Sequence, residues 1–301
     1  MSDSPRPLTG APPLGERLIE AALAGCAAIS LLTSAAIVLV LAQETFAFFH
    51  AVPITSFLFD TEWTPLFERA RFGIWPLVCG TALTSAVALL VAGPLGVLAA
   101  IYLAEFATPR ARDRLKPMIE VLAGIPTLVY GYFALRVVTP CLALVIPGLQ
   151  GFNALSAGLV MGLMILPTVC SLGEDALHAV PQTLREGAVA LGAGRLATLF
   201  LIVVPAARSG LLAALTLGLS RALGETMIVA IAAGQQAHLT LDPRTPVETM
   251  SAYIVQISLG DAAAGTVAYR TIFAVGAALF ALTFATNALA QRWIAAARRV
   301  G

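Results

Sequence analysis

Six long apolar blocks separated by polar connections set the pattern of this chain. They run from about Ala21 to Ala42, Trp75 to Leu103, Val121 to Val138, Leu155 to Leu172, Gly210 to Ala233 and Tyr269 to Ala290. A bilayer core of roughly 30 Å is crossed by about 20 apolar residues in a helix, so each block is expected to span a membrane. Backbone polar groups in lipid must be paired within the segment, which predicts helices and excludes open strands. The second block is long enough to tilt, and a break is expected near Gly93-Pro94. The expected fold class is an all-α integral membrane protein with about six transmembrane helices.

Composition agrees. Apolar residues make up 58% of the chain and charged residues 12%, against about 25% charged in soluble domains; the mean hydropathy is +0.87. Charge sets the orientation. With the N-terminus inside, the inner connections and tails hold twelve cations: Arg6, Arg17, Arg110, Arg112, Arg114, Lys116, Arg185, Arg195, Arg208, Arg292, Arg298 and Arg299. The outer ones hold four: Arg69, Arg71, Arg244 and Arg270. By the positive-inside rule both termini and the connection around Glu186 are cytosolic. The first block exceeds the 7–15 apolar residues of a cleaved signal and is read as a retained helix. Three regions follow: a flexible cytosolic tail over 1–15, a first helix with a long outer segment over 16–74, and a five-helix core over 75–301 with a cytosolic loop at about 174–205.

Enzyme chemistry finds no support. Cys26, Cys79, Cys141 and Cys170 are scattered among apolar neighbours without a C-x-x-C pair, and His50, His178 and His238 are isolated. The one lysine, Lys116, follows Leu115 rather than glycine, so the chain has no phosphate-cradling G-x-x-x-x-G-K-[ST] loop. Gly192-Ala193-Gly194-Arg195-Leu196-Ala197 fits a loose G-x-G-x-x-A string but lacks the strand and sheet of a dinucleotide site.

Charges inside the blocks carry more information. Arg221 and Glu225 fall near the middle of the fifth, where an arginine costs about 2.5–3.5 kcal/mol even on lenient insertion scales. Four residues apart on one helix, they share a face. Two readings stand: the pair neutralises itself for assembly, or the face lines a water-accessible path. In the second, Arg221 presents a planar fork of donors to an oxyanion and Glu225 aims it. Arg136, near the outer end of the third block, either reaches for the interface or contributes to such a path.

The connection from Glu186 to Pro205 reads Glu186-Gly187-Ala188, Gly192 after three residues, then Ile202 and Pro205. It resembles the E-A-A-x3-G-x9-I-x-L-P loop of ABC-importer permeases, with Gly187 and Val204 as departures. A small-residue face of Ala188 and Ala190 is expected to enter a cleft on an ATPase, Gly192 to turn the backbone and Pro205 to restart the chain. The resemblance narrows to the phosphate-specific Pst importers, C-type permease. It rests on Arg221-Ala222-Leu223-Gly224-Glu225-Thr226, Phe72-Gly73-Ile74-Trp75-Pro76, Tyr102-Leu103-Ala104-Glu105, Leu122-Ala123-Gly124-Ile125-Pro126 with Val129-Tyr130-Gly131, and Leu166-Pro167-Thr168 before Glu174-Asp175-Ala176.

This resemblance implies the type I (MetI-like) importer permease fold in a bacterial inner membrane. Arg221, Glu225 and Thr226 would serve translocation, and Glu186, Gly187, Ala188 and Gly192 would couple to the ATPase. It implies no cofactor on this chain, with ATP and Mg on the partner ATPase dimer. The other implied partners are a second permease of similar fold, a periplasmic phosphate-binding protein and membrane lipid; nucleic acid is not among them. Alternatives are a permease for molybdate or sulfate, a secondary transporter, and a membrane component relaying phosphate status to a kinase. The outer segment, with Phe57, Phe59 and Trp63, either rests at the interface or docks the binding protein. Its acids Glu44, Asp60, Glu62 and Glu68 make it a poor collector of phosphate.

Overall fold

Prolines decide where these helices bend, though not always where the sequence suggests. The computed structural model describes residues 14–260, 262–263 and 265–299. In chain order the helices are α1 (Leu14–Ala51), α2 (Ile54–Phe59), α3 (Trp75–Ile101), α4 (Pro109–Gly124), α5 (Thr127–Phe133), α6 (Thr139–Ala143), α7 (Ala154–His178), α8 (Gln182–Ala190), α9 (Arg195–Thr198), α10 (Val204–Leu223), α11 (Met227–Ala232), α12 (Met250–Leu259) and α13 (Val267–Arg299). Among the described residues, β structure is limited to two isolated bridges, Trp63 with Phe72 and Gly234 with Val247. Of the expected tail over 1–15, residues 1–13 lie outside the described residues, and Leu14 and Gly15 already belong to α1.

Among the described residues, five helical stretches are long and apolar enough to cross a membrane, and a sharply bent pair brings the number to six where it is counted as one span. That pair corrects the third block. The chain does not run straight from Val121 to Val138; α4 and the helix that opens with α5 meet at 89°. Ile125 and Pro126 are extended at the corner, because a residue ahead of proline is pushed out of the helical region. Conversely, no break occurs at Gly93-Pro94: α3 passes through Pro94 and continues into a π turn over Tyr102–Phe106.

The fifth block is corrected at both ends. Its helix starts at Arg195, not Gly210, and is continuous to Leu223 through a π turn over Leu199–Val203. Pro205 therefore sits inside a helix rather than restarting one. There the Val204 amide bonds to the Leu199 carbonyl five residues back. Pro140 likewise follows a π turn, Ala134–Val138, in which Thr139 bonds back to Ala134. A widened turn accommodates the ring and missing N–H that an α-helical ladder tolerates poorly. At its outer end the expected block divides: α10 stops at Leu223 and α11 is a separate short helix.

Close packing of small residues holds the bundle. On α3, Ala88, Ala92, Gly96 and Ala100 recur every fourth residue; on α7, Ala154, Gly158 and Gly162 do the same. A Cβ on Gly158 would fall 2.6 Å from Val87, and one on Gly162 2.8 Å from Val91. Small stripes let helices approach closely in lipid, where burial from water cannot drive association. Three buried clusters stack along the bundle. The middle one joins α3, α5, α7, α11 and α12 around Met161, Met164 and Ile228. One end is closed by an aromatic cluster of Phe48, Phe57, Trp63 and Tyr253. The other end gathers Leu103, Leu177, Leu199 and Val203, beside most of the charged contacts.

The aromatic cluster answers one question about the outer segment. Phe57 and Trp63 are buried in the protein's own core, with the Trp63 and Tyr253 ring centres 5.1 Å apart. Phe59 remains 78% exposed.

Candidate functional site

The structure separates two candidate regions, one at mid-depth in the bundle and one at its charged end. At mid-depth, Arg221 occupies the last turn of α10 and is exposed on this chain. Its Nη1 donates to Thr168 Oγ1 at 3.0 Å, and Thr168 lies near the centre of the 25-residue α7.

Glu225 does not pair with Arg221, contrary to the shared-face expectation, because the helix ends between them. Gly224 is the C-cap at which α10 stops, with φ −93° and ψ 0°. The Glu225 carboxylate accepts from the backbone amides of Met227 (3.1 Å) and Ile228 (3.4 Å), capping α11 instead. The backbone carbonyl of Glu225 accepts from Ser251 Oγ at 2.6 Å, tying the break to α12. Thr226 Oγ1 turns back to the Gly224 carbonyl at 3.3 Å. Arg221, Glu225 and Thr226 thus share one helix break, but Arg221 keeps a guanidinium that its expected acidic partner does not neutralise.

The corner between α4 and α5 lies beside this break. Tyr130 Oη donates to the Leu122 carbonyl at 2.7 Å, bridging the corner. A Cβ on Gly131 would sit 3.0 Å from Ile231 and 3.2 Å from the Met227 carbonyl, so α5 and α11 touch nearly backbone to backbone. Interrupted helices at membrane depth are tolerated where the backbone is buried or lines a cavity. Arg136 lies apart, exposed on the π turn after α5 and lining a hollow with Thr139, Pro140 and Gln150.

At the charged end, α8 carries Glu186, Gly187 and Ala188, with Gly192 just beyond it. The turn follows from sequence. Gly192 has φ +84°, its amide bonds to the Val189 carbonyl, and the Ala193 amide reaches the Ala188 carbonyl. This is a helix end built for glycine.

Of the expected small-residue face on α8, Ala190 is exposed and Ala188 is not. Ala188 is buried against its own chain, while Leu184, Val189 and Leu191 stand out, Leu191 at 91% exposure. Glu186 and Gly187 are exposed beside them, and a Cβ on Gly187 would meet nothing. These exposed apolar side chains surround a short helix at the end of the bundle and are not covered by this chain.

The loop is fastened by residues that sequence reasoning passed over. Arg185 bonds the Glu105 carboxylate and donates to the Leu177 carbonyl at 2.7 Å. Arg195 bonds the Glu105 backbone carbonyl and lies 4.6 Å over the Phe106 ring. Nearby, wholly buried Glu174 on α7 meets Arg112 at 2.6 Å and Lys116 at 2.9 Å, both from α4. Glu105 and Thr168 stand in the blocks that carried the family resemblance; their contacts had no signal in spacing.

Membrane-length helices packed around two interrupted helices that meet inside the bundle, with a short helix presented at one end, are the build of a polytopic membrane protein. The chain belongs to the family of binding-protein-dependent transport system inner membrane components, which matches residues 92–299. It is 33% identical over 277 residues to the probable ABC transporter permease protein YqgH of Bacillus subtilis, covering 91% of this chain and 89% of that protein. It is also 33% identical over 255 residues to the phosphate transport system permease protein PstC of Mesorhizobium japonicum, covering 78% and 77%. Two solved structures share the fold. The inward-facing MetNI methionine ABC transporter aligns with a TM-score of 0.55 at 18% identity, over 75% of this chain and 94% of that one. A bacterial ABC transporter involved in import of the acidic polysaccharide alginate aligns with a TM-score of 0.58 at 16% identity, over 92% and 99%.

Proposed function

We propose that this chain is a permease subunit of an ATP-driven importer of inorganic phosphate, with Arg221 on the anion path. The observation that carries this reading is the exposed guanidinium at a mid-depth helix break, left without its expected acidic partner. An arginine facing acyl chains at that depth is costly, so the face bearing it belongs against a water-filled path and a second permease of similar fold. Exposed Val129, Tyr132 and Phe133 on neighbouring α5 extend that face. A planar fork of donors suits a tetrahedral oxyanion. Glu225, engaged with backbone amides, holds the break open and shapes the field around the path without cancelling the charge of Arg221.

The charged end is cytosolic in this reading, as are both termini, in a bacterial inner membrane. The exposed face of α8, with Glu186 and Gly187, docks an ABC ATPase dimer that holds ATP and Mg. Ala188 seats the helix and Gly192 makes its turn. A periplasmic phosphate-binding protein delivers the anion at the aromatic end. Nucleotide shifts the bundle between inward and outward states only through different affinity for the two.

The test is uptake of radiolabelled phosphate in cells lacking this chain, restored with the original gene or with Arg221→Gln, while co-purification of the ATPase is followed. A hydrogen bond to a charged group contributes about 1.5–3 kcal/mol, so uptake should fall more than about tenfold with the complex intact. Undiminished uptake would remove Arg221 from the path.

A further inference from the structure

We propose that the π turn Tyr102–Phe106 is the seat of the coupling loop, and that Glu105 is the positioning residue that makes the loop and α3 move as one body. The inference rests on the reading of α8 as the ATPase-docking helix and deepens it. One short turn holds both arms of the loop. Arg185, within α8 and just ahead of Glu186, is bound by the Glu105 side chain. Arg195, which opens α9 after the Gly192 turn, is bound by the Glu105 carbonyl and stacked on Phe106. The second anchor of Arg185, the Leu177 carbonyl, belongs to the last turn of α7, so the π turn and α7 converge on the two arginines.

The end of the π turn explains why the Glu105 carbonyl is available. In a π turn the ladder shifts to i→i+5, and here the Ala107 amide returns to Tyr102. At the end of such a helix the last carbonyls, that of Glu105 among them, lack a following amide in the helix and can accept from a side chain. The side chains of Arg185 and Glu105 are both largely screened from water, at 18% and 16% exposure. That raises the pair above a freely solvated surface contact. Behind the turn, Leu103 packs with Leu199 and Val203 of the π turn that follows α9. A push on α8 is therefore delivered to two π turns at once. From there it enters α3, whose small-residue stripe is pressed into α7, and α7 carries Thr168, the partner of Arg221.

The experiment uses the whole complex of permease, ATPase and phosphate-binding protein in proteoliposomes, with radiolabelled inorganic phosphate uptake and ATP hydrolysis read side by side. For Glu105→Gln we expect the ATPase to stay bound and hydrolysis to continue, while phosphate taken up per ATP hydrolysed falls by about fivefold or more, the lower range of a site-to-site coupling. Glu105→Arg and Arg185→Glu alone should do the same. Together, by restoring an opposite-charge pair, they should return the ratio to within about twofold of the original, the signature of a direct interaction. An unchanged ratio in Glu105→Gln, loss of the ATPase in that variant, or single variants that fail without recovery in the exchanged pair would each overturn the proposal. Leu191→Glu, at the exposed C-cap of α8, tests the underlying docking reading separately: it should release the ATPase, and retention would sink that reading whatever Glu105 does.

Discussion

Glu174 and Glu248 are both buried carboxyls, at 0% and 4% exposure, yet the two ends of the molecule treat them in opposite ways. At the charged end, Glu174 on α7 receives Arg112 and Lys116 from α4. At the aromatic end, Glu248 packs between the start of α3 and the start of α12, and its Oε1 has no hydrogen-bond partner. Its backbone lies so close to α3 that a Cβ on Gly80 would come within 2.2 Å of the Glu248 carbonyl oxygen. Burial with no cation beside it pushes this carboxyl up to about 7. The difference teaches what charge does in each region. At one end it joins separate helices through directional, re-formable contacts; at the other the neutral form of a carboxyl is favoured in an otherwise apolar and hydroxyl-lined seam.

The largest way to break that contrast is to strip Glu174 of its cations. Arg112 and Lys116 keep 39% and 31% of their side-chain surface in water, whereas Glu174 has none. The costs of removing either side are therefore unequal. Arg112→Ala with Lys116→Ala leaves a carboxylate buried and unpaired, a loss of about 3–5 kcal/mol. Glu174→Gln leaves two cations that can turn to solvent, and should cost only about 1–3 kcal/mol. Unfolding of the purified protein in detergent reads both. Equal losses would mean that the joint is not organised around the buried carboxylate.

Glu248 sharpens the other side through pH. Its carboxyl has an ordinary value of 4.5 and is raised to about 7 in the fold. Between those values the native state holds a proton that the unfolded chain has released. Stability from this group is therefore full below about pH 4.5, falls as pH rises to about 7, and is level above that. At about 1.4 kcal/mol per unit, the loss across the window reaches about 3 kcal/mol. Glu248→Gln should flatten the profile over that range. A variant that kept the same slope would place the titration elsewhere.

How far the sequence revealed this molecule depended on whether a feature is local. The apolar blocks and the Gly192 turn rest on runs of neighbours, and each has a structural counterpart. Proline proved ambiguous because its effect depends on the next turn. Pro126 ends a helix after an extended residue, Pro205 rides on a π turn, and Pro94 stays within α3. Arg221 and Glu225 were legible as unusual residues, but their spacing predicted a pair only if the helix continued. Gly224 and the two amides capped by Glu225 decide otherwise. Glu105 with Arg185, and Glu174 with Arg112, lie 80 and 62 positions apart. No periodicity links residues so distant, and only the packing of α3 against α7 brings those ends together.

The smallest expected effect concerns α1, which meets the rest of the bundle mainly along α13 and whose most apolar stretch is not buried at all. Glu44 lies 3.6 Å from Arg270, a contact resembling the ion pairs at the charged end in composition but not in setting. Its side chains are 41% and 33% exposed, so water screens the attraction and holding two long side chains in place offsets much of the rest. Other contacts hold this end of α1. Phe48 is fully buried with Phe57 and Phe72 around it, and Thr45 Oγ1 donates to the Phe273 carbonyl at 3.1 Å. Glu44→Gln should accordingly change stability by no more than about 0.5 kcal/mol. A loss rivalling that of the Arg112 and Lys116 variant would show that the aromatic end depends on charge after all, and the contrast between the two ends would have to be redrawn around burial of the pair rather than its place in the bundle.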